Sequence, residues 1–261
     1  MKLPLFQVDA FAERPFGGNP AAVIPLDAWL PDDTLQAIAA ENNLSETAFT
    51  IPASGDADYE LRWFTPATEV ALCGHATLAS GHVLIRGDAV RFRTRKAGVL
   101  IVGRDGDALT LDLPVTQVDA QPHPDLLATL GLPDAELFQS VSGAEETAIV
   151  LVENAEAVRA CQPDMRALRG IDLMAIVTAR GDGEIDVVSR VFVPAWGVDE
   201  DPVTGSAPAA LAPFWAERLG RDCFSAFQAS RRGGRVEVRL AGERAILGGR
   251  CVTVIEGSFL L

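Results

Sequence analysis

The hydrophobic pattern is most distinctive at residues 64–84, FTPATEVALCGHATLASGHVL. A strand-like end and a Pro-bounded turn lead into Gly74-His75-Ala76, which opens a run of small and apolar residues. A helix apolar on all sides is a buried helix. Residues 192–211, FVPAWGVDEDPVTGSAPAAL, repeat the plan. Both copies carry Phe-x-Pro-Ala, then a turn, then Gly-x-Ala (Gly74-His75-Ala76 and Gly205-Ser206-Ala207). Phe and Gly are 10 residues apart in the first copy and 13 in the second, so the shared plan is one of pattern with a longer second turn. The first N–H groups of a helix lack partners within it and carry partial positive charge. With glycine removing side-chain bulk, such a start accepts a carboxylate. Two of them facing one another make an anion-binding cleft.

Around these two stretches the pattern predicts short strands and few helices. Residues 3–11 and 21–24 read as strands, the first near a domain edge, joined by the turn-rich Arg14-Pro15-Phe16-Gly17-Gly18-Asn19-Pro20. Gly17-Gly18 lets backbone approach a ligand, and Asn19 offers an amide. A helix opens at Pro31-Asp32-Asp33, with Leu35, Ile38 and Ala39 facing inward. It ends at Asn43 before Leu44-Ser45-Glu46-Thr47 and a strand over 48–51. Strands follow over 89–100 and 109–113. Residues 114–124 read as a connection between domains. The pattern then predicts helices over 125–130 (stopped by Gly131) and 159–168, strands over 147–152, 174–178 and 186–193, and glycine-punctuated strands from 224 onward. The expected division is 1–115 and 116–261, with the last strand free to return to the first half. Strand and helix alternate too rarely for a Rossmann sheet, and no G-x-G-x-x-G follows a strand.

Composition narrows the function class. The net charge is −14 and no basic run occurs, which argues against nucleic acid or an anionic membrane surface as partner. No stretch has the length of apolar sequence a membrane helix needs, and the N-terminus lacks the pattern of a secretory signal. Cys73, Cys161, Cys223 and Cys251 form no C-x-x-C pair, and no His stands at metal-ligand spacing. The expectation is a cytoplasmic chain without a metal centre.

Candidate chemistry then falls on few residues: Ser45-Glu46, Cys73-Gly74-His75, and Asp201 through Ser206. The segments FGGNPAAV at Phe16, NLSETAF at Asn43, FTPATEVALCGHATLA at Phe64, EDPVTGSA at Glu200 and RRGG at Arg231 together resemble the PhzF (phenazine biosynthesis-like) isomerases. They run through most of the chain in that family's order. The resemblance implies an α+β, diaminopimelate epimerase-like fold: two pseudo-symmetric halves, each a curved, barrel-like sheet around a central buried helix, with the active site in the cleft between them. It further implies a homodimer, no cofactor, and a small anionic substrate. It maps the acid/base onto Glu46, and assigns His75 and Asp201 to orienting or sharing the proton. Ser45, Gly74, Gly205 and Ser206 map onto substrate-holding positions. Asn19, Cys73 and Thr204 complete the candidate substrate contacts.

The residues suit that assignment. Removing a proton from carbon beside a carboxylate needs a base of near-neutral pKa and donors for the developing charge. A buried Glu46 is the expected base, and the helix starts supply donors. The helix dipole favours a neutral His75. Related epimerases pair two thiols across the cleft. Here Cys73 occupies the first position and Thr204 the second, which favours a one-base proton shift over two-base epimerisation or racemisation. Cys73 itself reads as a small packed residue. A non-catalytic small-ligand-binding protein of the same fold is the rival from another class. His82 reads as a core or helix-end histidine, His123 as solvent-facing, and Glu69 as an arginine or backbone partner. An arginine of Arg231-Arg232-Gly233-Gly234 is a candidate holder of an acidic substrate.

Overall fold

The computed structural model describes residues 1–142 and 146–261. They form two compact units, Met1–Asp112 with Gly248–Leu261, and Leu113–Leu247. The expected boundary at 115/116 therefore moves by a few residues, and the C-terminal segment belongs to the first unit. The reason is the pairing of the last strand, Cys251–Leu260, along the length of the first.

In the first unit, β1 (Lys2–Ala10) pairs with β2 (Asn19–Pro25) as an antiparallel hairpin. With the C-terminal strand on its other side, β1 is interior to the sheet, not at its edge. Helix α1 (Asp32–Asn42) crosses over to β3 (Glu46–Pro52), parallel to β2, and buries Leu35, Ile38 and Ala39 as its periodicity required. Asn43 stops it in the left-handed region at φ 48°, and asparagine is among the few non-glycine residues that go there readily. β4 (Tyr59–Phe64) lies antiparallel to β3, and the short β5 (Glu69–Val70) folds back on it. Helix α2 (Gly74–Leu84) then crosses to β6 (Ala89–Thr94), which is parallel to β4 and continues through β7 (Val99–Asp105) to β8 (Ala108–Pro114).

The sheet wraps α2, which touches β1, β2, β3, β7 and the C-terminal strand. Its buried hydroxyls are satisfied inside the helix. Thr77 Oγ1 donates to the Cys73 carbonyl at 2.5 Å, and Ser80 Oγ to that of Ala76 at 2.8 Å. A Cβ at Gly81 would stand 2.4 Å from Val102 Cγ1, so this glycine lets the helix lie directly on β7.

In the second unit, β9 (Val118–Ala120), α3 (Pro124–Leu130) and β10 (Glu136–Ser140) precede β11 (Thr147–Leu151). The stretch read as a connection thus contains a strand, paired with β10. His123 is not a solvent-facing linker residue: its Nδ1 accepts from Leu126 N at 3.2 Å and caps α3. The helix expected over 159–168 is two, α4 (Ala155–Ala160) and α5 (Met165–Leu168). Pro163 cannot continue a helix, while Asn154 and Asp164 each cap a new one with a side-chain oxygen. Strands β12 (Met174–Arg180), β13 (Val187–Val193) and β14 (Val198–Glu200) lead to α6 (Ala207–Leu219). β15 (Cys223–Gln228), β16 (Gly234–Ala241) and β17 (Arg244–Gly249) follow, then β18, the C-terminal strand. Helix α6 packs against β11 and β16.

The two units have one strand plan. From β1 to β7 the successive pairs run antiparallel, parallel, antiparallel, parallel, antiparallel. From β10 to β16 they run the same way. Each parallel pair requires a crossover. α1 and the α4–α5 pair supply the first in each unit, α2 and α6 the second. The duplication read from the two Phe-x-Pro-Ala stretches extends through the whole topology.

It extends to a side-chain device as well. Two residues before each phenylalanine stands an arginine, giving Arg62-Trp63-Phe64 and Arg190-Val191-Phe192. Arg62 grips Glu69 with Nε and Nη2, both at 2.8 Å, and its guanidinium lies 5.0 Å from the Phe64 ring centre. Arg190 grips Glu200 at 2.7 and 3.0 Å and lies 4.9 Å from the Phe192 ring centre. Each glutamate sits opposite that phenylalanine in the strand register. Each clamp therefore ties down the start of the turn that leads to a buried helix. Fork-on-carboxylate geometry is the strong form of this bond.

Candidate active site

In the first unit the candidate residues meet at one end of the sheet. Ala21 pairs with Glu46 in the parallel β2–β3 register, so Asn19 and Ser45-Glu46 emerge at the same sheet end, beside the start of α2. Gly18 makes this turn possible: its φ is +60°, and a Cβ there would fall 2.0 Å from the Ala10 carbonyl oxygen. Phe16 beside it is held at φ 73°, with its N–H donated to the buried Asp9 carboxylate at 2.9 Å.

His75 is the centre of the group, its side chain 4% exposed. Nε2 lies 3.0 Å from Glu46 Oε2. The two atoms are close but not aligned for a hydrogen bond, and among the described residues neither has another partner. On the other side of the ring, the Asn19 amide nitrogen is 3.2 Å and the Cys73 sulfur 3.4 Å from Nδ1. The Ser45 hydroxyl donates to Asn19 Oδ1 at 3.1 Å. Asn19 is fully buried, and its side chain orients His75. The Glu46 side chain is 16% exposed, so it opens toward solvent without lying in it. β3 runs between β2 and β4, and Glu46 opens it, at the end of an interior strand.

Helix α2 begins at Gly74 with Cys73 as its cap in extended backbone, and its first internal bond runs from Thr77 N to the Cys73 carbonyl. The N–H groups of Gly74, His75 and Ala76 precede that bond, as an anion-accepting helix start requires.

The electrostatics correct one expectation. Burial pushes the Cys73 thiol up to about 11, helped by the Glu46 carboxylate and opposed by His75 and the Ala76 N–H. For His75, burial opposes a charge, yet Cys73 and Glu46 outweigh it and raise its pKa well above 6.5. Since the thiol is uncharged near neutrality, Glu46 is the charge that matters there. The helix dipole favours neutral imidazole, but a carboxylate 3.0 Å away is nearer and carries a full charge. Protonation at Nδ1 requires the Asn19 amide to present its oxygen, and the Ser45 hydroxyl serves either orientation because it both donates and accepts. A ring-nitrogen NMR titration is expected to give a His75 midpoint above 6.5. His82 should titrate below it, because burial and then Arg104 lower it. The stability contributed by a charged His75 is complete below the unfolded value near 6.5. It is lost as pH rises through the folded value.

In the second unit, Asp201 follows Glu200 directly and accepts from Thr204 Oγ1 at 2.6 Å. Gln228, a residue the pattern did not single out, donates to the Asp201 carbonyl at 2.7 Å and to Thr204 Oγ1 at 3.2 Å. Its Oε1 accepts from Thr204 N at 2.9 Å. The threonine in the second thiol position is therefore buried and engaged with Asp201. Helix α6 starts at Ala207, with Gly205 and Ser206 in the approach rather than the helix. Ser206 Oγ is 4.0 Å from Met174 Sδ. Arg231 is exposed and Arg232 partly buried. His82 sits at the end of α2 with Nε2 3.0 Å from Thr253 Oγ1, and Glu69 pairs with Arg62, as their positions suggested. Arg62 and Arg190 were legible only from the repeated Arg-x-Phe-x-Pro-Ala. The sequence shows no metal spacing, yet folding brings donor atoms of Glu46, Cys73 and His75 within 4.8 Å of one another. No helix among the described residues is long and apolar enough to cross a membrane.

Comparison with known proteins agrees with this plan. Residues 8–257 match the family model described as phenazine biosynthesis-like protein, PhzC-PhzF. An uncharacterized isomerase of Pseudomonas aeruginosa is 47% identical over 100% of both chains. The phenazine biosynthesis-like domain-containing protein of Homo sapiens is 38% identical over 99% of each. A PhzF-family crystal structure from Enterococcus faecalis superposes with a TM-score of 0.90 at 40% identity, covering 100% of both chains. A hydroxyproline epimerase from Agrobacterium vitis, with bound trans-4-hydroxy-L-proline, gives 0.62 at 15% identity over 99% of this chain and 91% of that one, a likeness of fold alone. The repeated strand plan around two buried helices is the diaminopimelate epimerase-like α+β fold, and the chain belongs to the isomerase- and epimerase-like phenazine biosynthesis (PhzF) family.

Proposed function

We propose that the protein is a cofactor-independent isomerase that moves a proton on a small carboxylate-bearing metabolite, with Glu46 as the acid/base. The observation that carries this reading is the Glu46–His75 pair. It consists of a partly exposed carboxylate and a buried imidazole 3.0 Å apart, each with a polar atom unclaimed by an aligned bond. Glu46 takes the proton from carbon beside the substrate carboxylate, the electron pair spreads into that carboxylate or a conjugated double bond, and the proton returns at a second carbon. The N–H groups at the start of α2 hold the anion as charge develops. His75 supplies a cationic donor beside Glu46, and Asn19 and Ser45 keep its ring in place. The family pattern assigns Asp201 to the same reaction. The substrate is anionic and small, and the working form a cytoplasmic homodimer. A two-base epimerase is the second reading, and the commitment of Thr204 to Asp201 at 2.6 Å weighs against it.

The test is incubation with pooled small carboxylic acids in deuterium oxide, followed by mass spectrometry and NMR. One compound is expected to gain a deuteron at a new carbon. Inversion at Cα without a positional shift would favour the two-base epimerase, and binding without any exchange would favour a ligand-binding protein.

A further inference from the structure

Before the start of α6, one buried amide holds the turn that carries Asp201. Gln228 ends β15 and is 4% exposed, and Thr204 is 7% exposed. We propose that Gln228 is a positioning residue for the isomerase reaction: by fixing the direction of the Thr204 hydroxyl proton, it keeps the Asp201 carboxylate an aimed acceptor. Its effect on rate rests on the isomerase reading above, whereas its effect on geometry does not.

The orientation of the Gln228 amide is forced by its partners. Thr204 N can only donate, and it meets the amide oxygen at 2.9 Å. The Asp201 carbonyl can only accept, and it meets the amide nitrogen at 2.7 Å. The second hydrogen of that nitrogen is then directed at Thr204 Oγ1, 3.2 Å away. A hydroxyl has one hydrogen, and with an N–H already aimed at its oxygen that hydrogen goes to Asp201 Oδ2 at 2.6 Å. Asp201 Oδ2 therefore accepts in this network and carries no proton of its own. Both donors and the acceptor of Gln228 are engaged together, so losing one changes what the others can hold. Neighbouring bonds brace the same turn. Asp201 N donates to the Val191 carbonyl at 3.0 Å, and Ser230 Oγ donates to that of Pro202 at 2.6 Å. Ser230 Oγ also accepts from Gly233 N at 3.1 Å, which gives the Arg231-Arg232-Gly233 turn a part in the same support. Without the Gln228 donors the Thr204 hydroxyl can turn, and the Asp201 carboxylate loses the bond that fixes its rotation.

Two substitutions in the full chain take the network apart. Gln228→Met keeps the length of the side chain and removes all its bonds. Gln228→Glu keeps an oxygen for Thr204 N and removes the donors, so it rescues a role confined to anchoring the backbone. Both are expected to lower kcat for deuterium exchange by about 10- to 100-fold, with KM within about threefold of the parent value. Thr204→Val removes the hydroxyl at nearly constant size and should have a similar effect. Because both residues act through one proton, the Gln228→Glu, Thr204→Val double variant should fall within about threefold of the poorer single. Effects that multiply, or a Gln228→Glu protein as active as the parent, overturn the proposal. A crystal structure of Gln228→Glu reads the geometry and the fold without substrate. The separation of Thr204 Oγ1 from Asp201 Oδ2 is expected to pass about 3.5 Å, beyond a hydrogen bond. Retention of the parent's 2.6 Å contact overturns the proposal, whether or not any compound exchanges. Absence of exchange in the parent protein instead overturns the isomerase reading, and with it the effect on rate.

Discussion

Replacing Glu46 with glutamine is expected to slow deuterium exchange into the substrate by about 100- to 10,000-fold, the range for removal of a positioned general base. At about 1.36 kcal/mol per tenfold, that is about 3–5 kcal/mol of transition-state stabilisation. The substitution keeps shape and hydrogen-bonding reach while removing the ability to accept a proton from carbon. It also carries a second signature that a loosened fold would not give. Because the Glu46 carboxylate helps hold the His75 pKa up, Glu46→Gln should bring the His75 midpoint down toward 6.5. The two readouts together separate loss of a base from loss of structure. Exchange within tenfold of the parent protein would remove Glu46 from the role proposed here.

Arg62→Met should destabilise the protein by about 3–5 kcal/mol, measured by urea unfolding. The Arg62 side chain is 2% exposed. It makes two bonds to Glu69 and one of 2.9 Å to Asp32, and its guanidinium lies 5.2 Å from the Trp29 ring centre. Methionine replaces much of the stem's apolar volume but leaves Glu69 without its buried partner. Glu69 is itself 28% exposed and keeps Arg95 Nη1 at 3.0 Å, which places the loss toward the lower end of the range. Adding Glu69→Gln should return part of it, since the carboxylate that has lost its two Arg62 bonds is then gone. The pH dependence has a defined sign. The hydrogen bond from Arg62 holds the Glu69 pKa below its ordinary 4.5. The pair's stabilisation is therefore present above that value and fades as pH falls through the lowered one. A loss under about 1 kcal/mol would class the clamp with ordinary surface ion pairs.

The clamp also shows how sequence and structure divide the problem. Its arginines stand in plain view as Arg62-Trp63-Phe64 and Arg190-Val191-Phe192, within the repeat that revealed the duplication. Their glutamates follow at different distances because the second turn is longer, so spacing alone does not pair Glu200 with Arg190. Strand register does, by placing each glutamate opposite its phenylalanine. The same limit explains the helix expected over 159–168. Its apolar pattern spans the break, whereas the caps at Asn154 and Asp164 show only once the backbone direction is known. His123 looked like a solvated linker residue because its partner is a backbone N–H, and a backbone partner leaves no mark on the sequence.

By itself the sequence determined the repeated plan, the two buried helices, the inward face of α1 and the short set of residues able to carry chemistry. These follow from periodicity and turn chemistry, which act between near neighbours. Only the tertiary structure decided that Asn19 serves the imidazole, that Thr204 answers to Asp201 and Gln228, and that Glu46, Cys73 and His75 share one small volume. Those relations join residues of separate strands and helices, and their energies depend on burial and on distances of a few ångströms that local propensity does not encode. The charge on His75 is the clearest case. Its place at a helix start argues for a lowered pKa, and the groups that folding brings beside it, Cys73 and the Glu46 carboxylate, raise it instead.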